Sequence, residues 1–256
     1  MTPHGDALND AALRPYSVRV DRKGGLGGLG EQPKRCEETN PGSQELPAEA
    51  LDAPLILASA SPRRADLLSQ VGVAYEVRVS DVAEEADVPG ADPAEVAEEH
   101  ARDKALDVAA HNPGRLVLGA DTVVVLDGRV LGKPEDEDDA RRMVASLSGS
   151  EHEVITGVAI ALADGKARLL ALEHVRTTVR FRTLTDEEID AYVASGEPMD
   201  KAGAYGIQGR GALLVREIEG CYFNVVGLPL SRTWELLCAL GHQVPGQHAG
   251  DRGQRP

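Results

Sequence analysis

Hydrophobic and polar positions alternate between two periods along the chain. Leu55-Ile56-Leu57-Ala58 is a short apolar run of the kind a fully covered strand shows. From Ser61 the spacing changes: Leu67, Leu68 and Val71 recur at helical intervals. Ser61 is placed as N-cap and Pro62 as first helical residue, and Gly72 closes the helix in the left-handed conformation. "YEVRVSDVAEEADV" predicts a second strand running into an acidic loop. "DPAEVAEEHARDKALDVAAHNPG" predicts a helix with Asp92 as N-cap, Pro93 at its first position and Glu95 in capping-box position, stopped by Asn112-Pro113-Gly114. "RLVLGADTVVVLDGRVLGKP" reads as a buried strand and a hairpin turning at Asp127-Gly128. A further helix puts Ala140, Met143, Val144 and Leu147 on one face, and two long strands follow around Asp164-Gly165. Thr185 and Glu188 form the capping box of a short helix. "GALLVREIEGCYFNVVGLPL" predicts a last hairpin, and the closing helix to Leu240 sets Leu230, Trp234, Leu237 and Cys238 on one side. Strands and helices alternate early and hairpins dominate later, which predicts a mixed sheet in an α/β fold without internal repeats.

The two ends lack this periodicity. Residues 1–52 hold "GGLGGLGEQ", scattered prolines and charges, and read as a disordered extension; 243–256 read as a disordered tail, leaving a domain over 53–242. "GGLGGLG" is low complexity, since no strand leads into it and no Lys-Ser/Thr pair follows, as a phosphate loop requires. No apolar run is long enough to span a membrane and no charged start precedes an apolar core, so neither a membrane nor a secretory signal is expected. Cys36, Cys221 and Cys238 are too widely spaced for a metal site, which fits a reducing cytoplasm. The formal net charge of −15 argues against a nucleic-acid groove. It leaves room for a small anion held by a local cluster of bases or through a divalent metal.

Several residues break their own pattern. Arg63 and Arg64 stand where a strand turns into a helix, and a helix N-terminus with two guanidiniums is an anion site; a surface arginine pair is the alternative. Asp121 and Thr122 interrupt the apolar run Leu116–Leu126. A carboxylate there loses hydration worth about several kcal/mol unless a cation or strong donors compensate. It is a metal ligand, a general base, or a structural Asp satisfied by backbone N–H groups. Lys104 shares a helix face with Ala97, Ala101 and Val108, either snorkelling or serving a site. Lys133 is fixed between Gly132 and Pro134, and Glu84 sits in the acidic loop. "DKAGAYGIQGRG" is a glycine-punctuated loop whose Gln208 can read a base edge. Two arginines, two lysines and two carboxylates at strand ends suggest a polyphosphate with a divalent metal.

"LASASPRRADLL", "GADTVVVLDGRVLGKP" and "YVASGEPMDKAGAYGIQG", in this order, closely resemble the Maf family of nucleoside triphosphate pyrophosphatases, over about Leu55 to Leu240. The resemblance implies an elongated mixed sheet in two lobes with flanking helices, similar to inosine triphosphate pyrophosphatases. It also implies hydrolysis to the monophosphate and pyrophosphate with Mg²⁺ or Mn²⁺, and a homodimer. On the matching positions it makes Asp121 the proton acceptor, with Glu84 as its partner at the metal. Arg63, Thr122 and Gln208 take the specificity positions, and Ser61, Arg64, Lys104 and Lys133 line the cleft around the phosphates. The motifs look like the branch acting on dTTP and UTP, with standard or modified pyrimidine nucleotides as substrates. Two other readings stay open at this stage: a nucleotide-binding regulator of cell division with little turnover, and a sugar-nucleotide transferase.

Overall fold

In the computed structural model, which describes residues 46–82 and 91–242, the longest apolar runs become the middle of one mixed sheet. Its strands are β1 (Leu55–Leu57), β2 (Tyr75–Val77), β3 (Leu116–Leu126), β4 (Arg129–Leu131), β5 (Glu151–Ala163), β6 (Ala167–Phe181) and β7 (Val215–Glu219). They are ordered β2-β1-β3-β5-β6-β7, with β4 also paired to β3. β1 runs parallel to β2 and β3, and every other pair is antiparallel. The sheet is open and flanked by helices α1 (Ala48–Asp52), α2 (Pro62–Gln70), α3 (Pro93–Ala110), α4 (Glu137–Leu147), α5 (Asp186–Val193), α6 (Tyr222–Val226) and α7 (Leu230–Ala239). This is the mixed α/β architecture that the alternation of periods predicts.

Each face of the sheet has its own cover. The odd positions of β3 face α3: Val117 packs with Ala101, Ala105 and Val108, and Val123 and Val125 pack with Ala94 and Ala97. The buried residues on that side of α3 are alanines and Val108, so the helix lies almost backbone to backbone on the sheet. A Cβ on Gly119 would fall 2.1 Å from the Ala101 carbonyl oxygen, and one on Gly157 2.2 Å from that of Ala97. The opposite face carries two apolar clusters. Leu57, Leu118 and Ile160 pack with Leu67, Leu68, Leu228 and Leu237 of the α2/α7 side. Val124, Val154 and Phe181 pack with Val144, Leu147, Ile189 and Tyr192 of α4 and α5. Burial of each such Leu or Ile contributes roughly 1.5–3 kcal/mol.

The end signals act locally as the residues dictate. Gly72, at φ 72°, ends α2 while the Gly72 N–H donates to Ser69 O and the Val73 N–H to Leu68 O, the paired bonds of a Schellman stop. Asp127 and Gly128 turn the β3–β4 hairpin with positive φ, and the Thr185–Glu188 capping box is formed. Asp92 caps α3 by accepting the Ala94 N–H at 2.9 Å.

Three expectations are corrected. The stretch 46–52 belongs to the folded unit: Ala50 is buried and Leu46 and Leu51 pack against the α2/α7 core. Its apolar residues are too few for periodicity to reveal, and only a neighbouring surface makes them a face. The second half of the expected last hairpin is a helix: β7 ends at Glu219, Gly220 turns the chain at φ 128°, and α6 follows. The Asn224 side chain draws that turn onto the sheet by donating to Val154 O and Thr177 Oγ1. On α7 the buried side is Leu230, Thr233, Leu236 and Leu237, while Cys238 is exposed. Residues 1–45 and 243–256, expected to be disordered, and Glu84, expected at the metal, lie outside the described residues.

Candidate active site

β3 has different neighbours on its two edges. β5 pairs with it throughout, from Leu116↔Leu162 to Val125↔Glu153. On the other edge β1 pairs with its first half, as far as Leu118, and β4 with its last part, from Val124. The edge therefore opens over Gly119–Val123, between the C-terminal end of one strand and a hairpin. Such an opening beside the carboxyl end of a parallel strand is where open α/β sheets hold ligands. Asp121 and Thr122 occupy it, which is why two polar residues are tolerated inside an apolar run.

Asp121 faces α3 and is 8% exposed. The Lys104 ammonium donates to its Oδ1 at 2.7 Å, and His100 Nδ1 lies 3.2 Å from Oδ2. Both come from α3, one turn apart, and the glycines at 119 and 157 bring that helix close enough to reach. Burial alone would raise the carboxyl pKa, but the His100 hydrogen bond and the charges of Lys104 and Arg64 outweigh it and lower it to about 2. Asp121 is thus a desolvated carboxylate that stays ionised. The Lys104 side chain does not snorkel to solvent: it is only 11% exposed and its ammonium lies on the carboxylate.

Thr122 points to the opposite face. Arg64 reaches it from α2, with Nη2 3.0 Å from Thr122 Oγ1, Nη1 2.8 Å from Ser59 Oγ and Nε 2.8 Å from Gly227 O. The buried guanidinium thereby ties the β1–α2 turn to β3 and to the turn between α6 and α7. Arg63, next in the chain, lies at the mouth and pairs with Asp200 at 2.9 Å. Ser61 holds the N-cap position of α2, but its side chain makes no cap bond; its N–H donates to Ser59 Oγ at 3.2 Å.

A cleft of about 600 Å³ collects these groups: Ser61, Arg63, Arg64, Lys104, Asp121, Thr122, Lys133 and Gln208 all line it. Lys133 and Gln208 are exposed on its walls, and the Gly203 N–H donating to Gly132 O at 2.9 Å fastens the one wall to the other. Sequence reasoning did not single out Ser59, His100, Asp200 or Lys201, which also line it. His100 stands four residues before Lys104, a spacing that signals a shared face; Asp200 and Lys201 lie inside the glycine-punctuated loop. The loop itself is pinned by Glu197, which accepts the Arg210 and Gly211 N–H groups, each at 3.0 Å. Among the described residues the cleft carries five Lys/Arg side chains against Asp121 and Asp200, in a protein of net charge −15. That local reversal of charge suits a polyanion, and the volume suits a nucleotide-sized ligand.

The chain is similar over most of its length to known proteins. The dTTP/UTP pyrophosphatase of Symbiobacterium thermophilum is 54% identical over 190 residues, 74% of this chain and 95% of that protein. Those of Moorella thermoacetica and Geobacter sulfurreducens are each 53% identical, over 75% and 73% of this chain and 98% and 96% of their own. Among solved structures, a nucleoside-triphosphatase / dITP/XTP pyrophosphatase from Mycobacterium abscessus aligns with TM-score 0.32 and 19% identity over 50% of this chain and 73% of that one, too loosely to carry an argument. The model of the Maf-like protein family matches residues 54–240, from the strand before the arginine pair to the end of the closing helix, and the chain belongs to that family.

Proposed function

We propose that the protein is a nucleoside triphosphate pyrophosphatase that hydrolyses dTTP and UTP to the monophosphate and pyrophosphate. The observation that carries this reading is the buried, ionised Asp121 in the open edge of β3, facing a cleft ringed by cations. The relatives' names support the choice of substrate. Water attacks the α-phosphorus, the bond to the bridging oxygen breaks, and pyrophosphate leaves. Asp121 accepts the hydrogen bond of the attacking water and takes its proton. With a pKa near 2 the carboxylate by itself is a weak base. A bound polyphosphate draws on Lys104 and adds negative charge nearby; both effects raise its basicity, against the opposing pull that a divalent cation on the same carboxylate would exert. Arg63, Lys104, Lys133 and the N-terminal turn of α2 with Ser61 and Arg64 offset the charge that builds on the leaving group. Thr122 and Gln208 meet the base.

Asp121 offers a divalent cation one buried carboxylate, and the family resemblance supplies Glu84 as the second. Mg²⁺ and Mn²⁺ bind through one or two carboxylates and complete their shell with phosphate oxygens and water. Among the described residues no trio of Asp, Glu, His or Cys converges. Asp121 would hold the ion, with Glu84 as the second carboxylate, and when bound it neutralises charge on the triphosphate. A homodimer in the cytoplasm completes the reading. It rests on the family resemblance.

The test is pyrophosphate release with Mg²⁺ or Mn²⁺ across dTTP, UTP, CTP, ATP and GTP. Many turnovers per enzyme are expected, fastest on dTTP and UTP. Equal kcat/KM for GTP and UTP refutes the substrate assignment. Tight binding without turnover favours a regulator, and dependence on a sugar phosphate acceptor favours a transferase.

A further inference from the structure

Beneath Thr122 lies a second threonine with no role in the reaction described so far. Thr156 stands directly opposite Thr122 in the β3/β5 register and is completely buried. The pair separates the two apolar clusters of that face, with Ala120 and Val158 on one side and Val124 and Val154 on the other. We propose that Thr156 is a positioning residue that fixes the Thr122 hydroxyl as a hydrogen-bond acceptor, so that Thr122 recognises a donor on the substrate, the imide N–H common to uracil and thymine. This rests on the pyrimidine triphosphate reading above.

The proton count decides it. A hydroxyl has one proton and two lone pairs. Thr156 Oγ1 donates its proton to the Asn224 carbonyl at 3.0 Å. The 2.9 Å contact between Thr156 Oγ1 and Thr122 Oγ1 then carries the proton of Thr122. Arg64 Nη2 donates to Thr122 Oγ1 at 3.0 Å and takes one lone pair. One lone pair remains on a residue that lines the cleft. It attracts an N–H and repels another acceptor. Uracil and thymine carry N–H at ring position 3, where cytosine carries a bare acceptor nitrogen. Phosphate oxygens are acceptors as well, so Thr122 is unsuited to the triphosphate and suited to the base.

Thr156→Val keeps the branched shape and removes the proton sink. The Asn224 carbonyl still accepts the Gly227 N–H at 3.0 Å, so no buried acceptor is stranded. Thr122 is then able to donate to cytosine. The kcat/KM ratio of UTP to CTP is expected to fall about three- to tenfold, the span of one hydrogen bond. Thr156→Ser restores the hydroxyl and the wild-type ratio, which a purely structural role would not require. Thr122→Val, which leaves Thr156 in place, is expected to lower the same ratio and keeps the test open if Thr156→Val does not fold. An unchanged ratio in either folded variant overturns the inference, as does a wild-type protein that uses UTP and CTP equally. A wild-type protein that releases no pyrophosphate from any triphosphate refutes the activity instead. The same ratio of Kd values for UTP and CTP, read by calorimetry on the same variants, then decides the role of Thr156.

Discussion

Asp121 keeps its charge because two side chains of one helix supply what water would have supplied. Lys104 at 2.7 Å and His100 at 3.2 Å offset the burial that would otherwise neutralise it. Asp121→Asn removes the proton acceptor and the charge, and kcat is expected to fall by about 10²-fold or more in a pyrophosphate-release assay. The same change also costs stability, the reverse of what an uncompensated buried carboxylate would give. It leaves the ammonium of Lys104, a side chain only 11% exposed, against a neutral amide. A loss of about 2 kcal/mol at neutral pH follows from the lowered pKa and from the usual cost of breaking a buried pair. Chemical denaturation of both proteins checks it. The need for compensation at Asp121 was legible in the sequence, because a charge inside an apolar run demands it. The identity of His100 as a partner was not, since a histidine among acids on a helix looks like solvated surface.

At the scale of elements, the site depends on how closely α3 lies on β3 and β5. Glycines at 119 and 157 remove the side chains that would hold the helix off, and Gly157 is directly opposite Asp121 in the register. Gly157→Ala puts a methyl group against the Ala97 carbonyl, where backbone must move. We expect a loss of about 3 kcal/mol, at the upper end of ordinary overpacking. Turnover should fall with it in the folded fraction, because α3 carries Lys104 and His100 away from Asp121. Thermal melting together with kcat per folded molecule is the measurement, and full activity in a destabilised variant would show that α3 does not set the site. The helix was evident from its caps and periodicity. Its closeness was not, because neither glycine reveals in sequence what backbone approaches it.

The whole molecule should lose stability in mild acid through histidines that burial keeps neutral, His152 foremost. His152, 2% exposed, packs between Phe181 and Tyr205, with Nε2 2.7 Å from the Tyr205 hydroxyl. Burial lowers its pKa from 6.5 to about 4. Unfolded chains therefore take up a proton below pH 6.5 that folded chains refuse until about pH 4. Stability is fully present above pH 6.5, falls by about 1.4 kcal/mol per unit within that window, and is lower by roughly 3 kcal/mol at its acid end. Asp121 extends the loss only further down, below its ordinary 3.8 toward 2. Denaturation between pH 7 and 4.5 should show the slope, and His152→Gln should flatten it; an equal slope in the variant would assign the acid lability elsewhere.

Periods of two and 3.6, caps and turn residues act over a few neighbours, so the sequence by itself determined most of the strands and helices and the chemistry gathered in three motifs. It placed Arg63, Arg64, Lys104, Asp121, Thr122, Lys133 and Gln208 as candidates, and these meet in one cleft. Tertiary structure decided what depends on surfaces far apart in the chain. Residues 48–52 become a helix because the α2/α7 core offers Ala50 a place. Residues 222–226 become a helix because Asn224 finds Val154 and Thr177 on β5 and β6. The open edge of β3 exists because β1 and β4 share one side of it, a pairing that no local pattern encodes. The direction of the Thr122 proton is set in the same way, by Arg64, Thr156 and Asn224, which lie 58, 34 and 102 residues away along the chain and within hydrogen-bonded reach in space.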